Sequence, residues 1–382
     1  MYHENPLYLK ICQNLADKKK LSLLRRTAPW QPDNTLDLST NSYLNLHANP
    51  TLHARTLSLI QQQTAGNLAS RLIATASPLY EELEMELAAW KRCQSALLFN
   101  SGYAANVGIL QALAGRDTDV FSDKLNHASI VDGIRLSGAT LQRYRHSDCS
   151  HLEQLLKKSS AREKLIVTDT VFSMDGDRAP LKDICTLAER YNALVMVDEA
   201  HAAGILGATA SGLVEELGVE NQVAIRVGTL SKALAGLGGF FAGDSTLREY
   251  LVNNARSLIY STALPHSVLA FNLTALHHVR AHPQEGVALI ERAERFAQML
   301  QSAGFDTLGS STQIVPCLTQ SEQQALELSQ LLREQGFKVP AIRPPTVPAG
   351  TARLRFSIHT GVQETTLEQI VAILCKWRES HG

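Results

Sequence analysis

The chain has 382 residues, with 36 basic against 37 acidic side chains and a net charge of −1, so it offers no electrostatic footing for a polyanion such as nucleic acid. An apolar share of 45% with 19% charged residues excludes a disordered chain and sets the expectation of one large domain joined to a smaller one. No run of roughly 18 uncharged apolar residues occurs, so no membrane-spanning helix is expected.

Six cysteines (Cys12, Cys93, Cys149, Cys185, Cys317 and Cys375) are scattered, without a C-x-x-C pair or a preceding signal-peptide pattern. They are expected to be reduced thiols in a cytoplasm.

In chain order, the basic run Lys18 to Lys20, then Arg25 and Arg26, then turns at Pro29 and Pro32, read as a helical N-terminal arm over residues 1–45. The basic run by itself is the pattern of a solvated helix face. Ser77 followed by Pro78 is an N-cap and first-position proline, predicting a helix through Trp90. Seven short apolar runs then alternate with helical periods: 96–99, 119–122, 141–144, 165–168, 194–197, 223–227 and 240–242. This alternation predicts an α/β fold with a mostly parallel sheet buried on both faces, in a large domain over 46–265. Beyond Pro265 the pattern changes to a smaller α+β domain, 266–382. It holds an amphipathic helix from about Glu285 to Ser302 stopped by Gly304, a strand, and a helix opened by the Ser321-x-x-Gln324 box. Two strands then flank a stiff proline-rich loop, Arg343 to Pro348, and a last helix follows the Thr365-x-x-Glu368 box.

In a doubly wound sheet, ligands bind beyond the carboxyl ends of the strands. The polar residues found there are Ser101 and Gly102, His127, Ser173 and Asp175, the trio Asp198, Glu199 and His201, and the trio Thr229, Ser231 and Lys232. An acid and a lysine at neighbouring strand ends suit an imine-forming cofactor such as pyridoxal 5'-phosphate (PLP). The lysine bonds to the aldehyde carbon, and a buried carboxylate keeps the pyridine nitrogen protonated so that the ring accepts a carbanion's electrons. Asp198 is the candidate partner of the nitrogen, His201 of the phenolic oxygen, and His127 lies over the ring. Ser101-Gly102-Tyr103, between a strand and an alanine-rich helix, offers backbone N–H groups to a phosphate; Thr229 and Ser231 add hydroxyls.

Taken singly, each residue has a plainer reading. A strand-end aspartate caps or pairs, a lone lysine is solvated, and a histidine is an ordinary hydrogen-bonding group. Asp198-Glu-Ala-His201 also spells the box of nucleic-acid-stimulated ATPases, but no Gly-Lys-Ser or Gly-Lys-Thr phosphate loop accompanies it. Neither H-E-x-x-H nor G-x-S-x-G occurs, so metalloprotease and serine hydrolase readings fall, and no metal is expected.

Six blocks together resemble the α-oxoamine synthases of the PLP fold-type I superfamily: 97–106, Asp123-Lys-Leu-Asn-His-Ala-Ser129, Val171-Phe-Ser-Met-Asp-Gly-Asp177, Met196-Val-Asp-Glu-Ala-His201, Gly228-Thr-Leu-Ser-Lys232 and Ile259-Tyr-Ser-Thr262. The segment 341–355 resembles the branch that makes 8-amino-7-oxononanoate for biotin. The resemblance implies an aspartate aminotransferase-like fold with a seven-stranded sheet, and PLP on Lys232 as the Schiff-base lysine. It further implies Asp198 at the pyridinium, and His127 stacked on the ring and facing substrate. Ser173 and His201 fall on the cofactor's oxygen side, with Gly102, Tyr103, Thr229 and Ser231 near its phosphate. Arg355 is implied to hold the amino-acid carboxylate, and Arg25 and Thr346 to touch the acyl substrate. The implied reaction joins L-alanine to a pimeloyl thioester with loss of carbon dioxide, in a cytoplasmic homodimer with a shared site. The acyl carrier is coenzyme A or acyl carrier protein, either of which is acidic enough to suit the basic arm.

Two alternatives stand beside it: a sister synthase using glycine or another acyl group, and a PLP-binding scaffold without turnover. The chain departs from the family pattern at Leu68 and Ala69, commonly glycines, and at Tyr80, commonly histidine. Bulk at glycine positions restricts close backbone approach, so these departures are expected to bear on substrate choice.

Overall fold

The computed structural model describes residues 2–20, 24, 35–61, 66–73 and 77–381. Among these described residues the strands are β1 (Leu36–Asp37), β2 (Ser95–Phe99), β3 (Thr118–Asp123), β4 (Thr140–Tyr144), β5 (Glu163–Asp169), β6 (Leu194–Asp198), β7 (Ile225–Thr229), β8 (Gly239–Gly243), β9 (Ile314–Leu318), β10 (Phe337–Lys338), β11 (Ala341–Ile342) and β12 (Arg353–Ser357). The α-helices are α1 (Pro6–Lys20), α2 (Pro50–Ile60), α3 (Pro78–Trp90), α4 (Gly102–Leu113), α5 (Ala128–Ser137), α6 (Cys149–Lys158), α7 (Leu181–Arg190), α8 (Leu213–Leu217), α9 (Ser245–Asn254), α10 (Arg256–Ile259), α11 (His266–Ala281), α12 (Gln284–Ser302), α13 (Glu322–Glu334) and α14 (Glu364–His381).

All seven predicted apolar runs are strands of one sheet, in the order β2-β8-β7-β6-β5-β3-β4. β8 runs antiparallel to both neighbours and the remaining pairs are parallel. Leu165, Ile166 and Val167 of β5 and Val195, Met196 and Val197 of β6 are all buried, as strands covered on both faces require. Separate cores lie on the two sides: Leu97, Ile109, Ile134 and Val227 belong to one, and Phe121, Leu152, Ile184 and Val197 to another. A three-stranded antiparallel sheet, β11-β12-β9, forms the C-terminal layer, where Phe356 of β12 meets Phe296 of α12 edge to face at 5.1 Å. Residues from Leu36 onward pack as one unit and residues 1–35 form another. No helix among the described residues is long and apolar enough to cross a membrane.

Three local expectations are corrected, and one helix went unread. The run 223–227 pairs two residues later, as β7, which places Thr229 inside the strand. α14 begins at Glu364, so the Thr365-x-x-Glu368 box lies within the helix instead of capping it. Ser77 precedes α3 as expected but its hydroxyl makes no capping bond, whereas Ser321 does cap α13, accepting from Gln324 N at 3.2 Å. α11 went unread in the sequence because nine of its 16 residues are buried, and a helix buried on most of its sides shows only a weak amphipathic stripe.

Candidate active site

Parallel register places three polar side chains at one edge. Asp169 ends β5 and pairs directly with Asp198, which ends β6; Thr229 ends β7. Around this edge lies a cavity of about 190 Å³ lined by Ser101, Gly102, Tyr103, His127, Ser173, Asp198, His201, Thr229, Ser231 and Lys232. Every cofactor residue expected from the sequence is among them.

One wall is a hydrogen-bonded chain. Asp198 Oδ1 accepts from Ala200 N at 2.8 Å. Its Oδ2 accepts from Asn106 Nδ2 at 2.7 Å, and the same amide nitrogen donates to Ser129 Oγ at 2.9 Å. Ser129 is then left to donate its own hydrogen to His127 Nδ1, 2.7 Å away. An amide with two N–H donors thus ties Asp198 to the tautomer of His127. Burial, with the Lys232 cation adding to it, holds His127 below the ordinary histidine value.

The opposite wall carries the amine. Lys232 turns inward, its Nζ 2.8 Å from His201 Nε2. Burial lowers this amine to about 8, against the pull of Asp198 and Asp169. Desolvation of a cation explains the direction. Burial, together with the Lys232 and Arg355 cations, holds His201 well below its ordinary value. Asp169 moves the other way, pushed well above the carboxylate range by burial and then by Asp198.

At the far end, α4 begins where Ser101 caps it, accepting from Ala104 N at 3.0 Å. A Cβ on Gly102 would stand 3.4 Å from Thr229 Cβ, so the backbone and the hydroxyl pair Thr229–Ser231, 2.7 Å apart, form one cradle. A helix N-terminus with two hydroxyls opposite suits a phosphate. Tyr103 is half exposed, and its hydroxyl donates to Asp132 Oδ2 at 2.7 Å.

Arg355 sits behind Ser173. It is buried, donating through Nε to Ser173 O at 2.6 Å, through Nη1 to Ser357 Oγ at 2.6 Å and through Nη2 to Asn41 Oδ1 at 3.2 Å. All three acceptors are neutral, and among the described residues no carboxylate pairs with it. A buried cation without a counter-charge is costly, so an anion brought within reach would be stabilised, although Arg355 itself stands outside the cavity lining. Asp175 lies outside the cavity lining and pairs instead with Arg353. Thr346 is exposed in the loop after β11 and does not join the lining. Arg25 lies outside the described residues.

A planar cofactor with an aldehyde, a basic ring nitrogen and a phosphate fits this donor set. Lys232, Asp198 and the Ser101–Gly102 cradle match the three groups, and Asn106 Oδ1 and Asp169 Oδ1 are buried without a protein partner.

Comparison with known proteins agrees with this geometry. Residues 33–374 match the family model for class I and II aminotransferases. The 8-amino-7-oxononanoate synthase of Geobacter sulfurreducens is 47% identical over 344 residues, covering 89% of this chain and 88% of that protein. That of Anaeromyxobacter dehalogenans is 46% identical, covering 89% and 85%. The chain belongs to the 8-amino-7-oxononanoate synthase family. This is a family of acyltransferase-type, PLP-dependent enzymes on the aminotransferase fold. Among solved structures, an SPT with PLP superposes with a TM-score of 0.92 at 28% identity, covering 98% of this chain and 99% of that one. The 8-amino-7-oxononanoate synthase of Francisella tularensis superposes at 0.79 with 28% identity, covering 91% and 98%.

The fold places two of the family departures. Tyr80 is buried in the core, its hydroxyl accepting from Leu264 N at 2.6 Å and its ring facing the Arg71 guanidinium at 4.4 Å. Leu68 is 95% exposed. Neither lines the cavity within one chain. Asn106, Ser129 and Asp169 were missed by sequence reasoning. Asp169 directly follows the 165–168 run and was open to the same strand-end rule that singled out Asp198.

Proposed function

We propose that the chain condenses L-alanine with a pimeloyl thioester, carried by coenzyme A or acyl carrier protein, to give 8-amino-7-oxononanoate and carbon dioxide. The observation that carries the amino-acid half is the buried Arg355 cation, held on neutral acceptors in electrostatic reach of Lys232. The acyl half rests on the names of the relatives at 46–47% identity.

When bound, PLP supplies a carbonyl carbon for amines and a ring that takes up the electron pair of a carbanion. Lys232 would hold its aldehyde carbon, Asp198 its ring nitrogen, His201 its phenolic oxygen, and Gly102, Tyr103, Thr229 and Ser231 its phosphate, with His127 over the ring. Arg355 orients the alanine carboxylate by charge-assisted hydrogen bonds. Lys232 Nζ, lowered to about 8, is in part unprotonated near neutral pH and takes the proton from alanine Cα, as a general base poised near working pH does. Asn106 and Ala200 N fix the Asp198 carboxyl so that no reorientation is needed as charge develops. Arg25 and Thr346 contact the acyl chain, and two copies of the chain share the site as a homodimer.

The structural likeness to SPT at a TM-score of 0.92 favours a sister synthase as the second reading. Turnover of holoenzyme with pimeloyl-CoA and alanine, glycine or serine, followed by mass detection of product, separates the two. Alanine is expected to be preferred, and Lys232→Ala to abolish turnover. A preference for glycine or serine, or full activity in Lys232→Ala, refutes the reading.

A further inference from the structure

Tyr43 is fully buried, and its hydroxyl lies 2.6 Å from His201 Nδ1 and 3.1 Å from Asn41 Oδ1. The direction of these bonds is fixed from outside. Arg355 can only donate, and its Nη2 reaches Asn41 Oδ1, so the amide oxygen faces this cluster and accepts. Tyr43 has one hydrogen, and that oxygen takes it. His201 Nδ1 must then be the donor to Tyr43, which leaves Nε2 with its lone pair toward Lys232 Nζ at 2.8 Å.

We propose that Tyr43 and Asn41 are positioning residues that hold His201 in the tautomer protonated on Nδ1, so that Nε2 presents a hydrogen-bond acceptor to the Lys232 amine. The proposal rests on the reading of Lys232 as the amine that takes the cofactor. The segment bearing both residues is stapled to the C-terminal layer, Ser357 N donating to Leu38 O and Thr360 N to Tyr43 O. The setting of His201 is thereby tied to the strand that carries Arg355. Through this hydroxyl the residue that Arg355 contacts is joined to the imidazole beside the reactive amine.

An acceptor at Nε2 favours the ammonium form of Lys232, so its loss moves the amine's titration downward. The other charged groups facing Lys232 are Asp198, Asp169 and Arg355, and those facing His201 are Lys232, Arg355 and His127. All of them remain in the variants.

The test is the rate of PLP uptake by full-length protein stripped of cofactor, followed by absorbance across pH, because only the unprotonated amine attacks an aldehyde. Tyr43→Phe keeps the ring and removes the hydroxyl. Asn41→Leu removes the acceptor and leaves Tyr43 free to donate into Nδ1, which turns an N–H on Nε2 toward Lys232. Both variants are expected to lower the uptake midpoint by roughly one pH unit, the size implied by a hydrogen bond to a charged group, with unchanged far-ultraviolet circular dichroism. A wild-type midpoint in either variant overturns the proposal. Lys232→Ala serves as the separate control: if it takes up PLP with the wild-type pH profile, the reading of Lys232 itself fails.

Discussion

Lys91 and Glu199 form a buried ion pair at 2.8 Å, each side chain only 1% exposed, directly beside the residue proposed to hold the cofactor nitrogen. Glu199 also accepts from Val214 N at 3.0 Å through Oε1, and Lys91 donates a second bond to Ser211 O. Replacing Lys91 by Met keeps an unbranched apolar stem but removes the ammonium that lies over the Trp90 ring and two charge-assisted bonds, at about 1.5–3 kcal/mol each. It leaves the glutamate buried with one N–H donor. Breaking one side of such a pair costs about 3–5 kcal/mol, and the two sums agree. Because Glu199 N donates to Val227 O at 2.7 Å, the strain falls on the turn that carries Asp198 and His201. Urea unfolding of the holoenzyme, at fixed protein and PLP concentrations since ligand and subunit association both shift apparent stability, should show this loss. Lys91→Met combined with Glu199→Gln should recover at least about 2 kcal/mol, because no buried charge is then left alone. A loss below about 1 kcal/mol in Lys91→Met, or a double variant no more stable than the single, refutes the reasoning.

Three further outcomes are expected. A Cβ on Gly239 would lie 2.5 Å from Ser101 O and 2.6 Å from Gly102 N, so Gly239→Ala should displace the phosphate cradle and weaken PLP binding roughly tenfold or more; equilibrium dialysis giving an unchanged Kd would count against the cradle. His146 bonds Asp123 at 3.0 Å and Asp177 at 2.9 Å, and although burial opposes it these carboxylates raise the ring to about 9 from 6.5. The stabilisation from this pairing is therefore complete below about pH 6.5 and lost as pH rises through about 9, a loss that urea midpoints should record in the parent chain and not in His146→Gln. Tyr80→Phe strips Leu264 N of its acceptor and should cost about 1–3 kcal/mol without altering the alanine-to-glycine ratio of kcat/KM; a ratio moved more than about threefold would place Tyr80 in substrate choice after all.

The large sheet was legible because its central strands are short, apolar and covered on both faces, so burial wrote itself into composition over residues 165–167 of β5 and 195–197 of β6. The two-residue pairing of β1 with β10 could not be read, since two residues cannot display a period. The buried α11 was hidden for the opposite reason, being apolar on too many sides to show a clear stripe. Helix starts were legible by residue type but not by partner: Ser77 and Ser321 are both N-cap serines, yet only Ser321 makes the capping bond.

Within the site, what could be read were the side chains that face the cavity from strand ends and the turns just after them. What could not were the groups that hold those side chains. Asn106 and Ser129 sit on helices α4 and α5, and they matter only because packing brings Asn106 against Asp198 of β6 and Ser129 against Asn106. Asn41 and Tyr43 stand about 190 residues from Lys232 in sequence, and their bearing on it runs through a histidine and an arginine that no local pattern connects. A catalytic side chain needs its chemistry, which residue type declares. Its orientation depends on second partners chosen by the tertiary fold, and many residue types can supply an N–H or a hydroxyl there. This is why Asp198 and Lys232 could be singled out as cavity residues from the sequence, while the partners that orient His127 and His201 needed the distances.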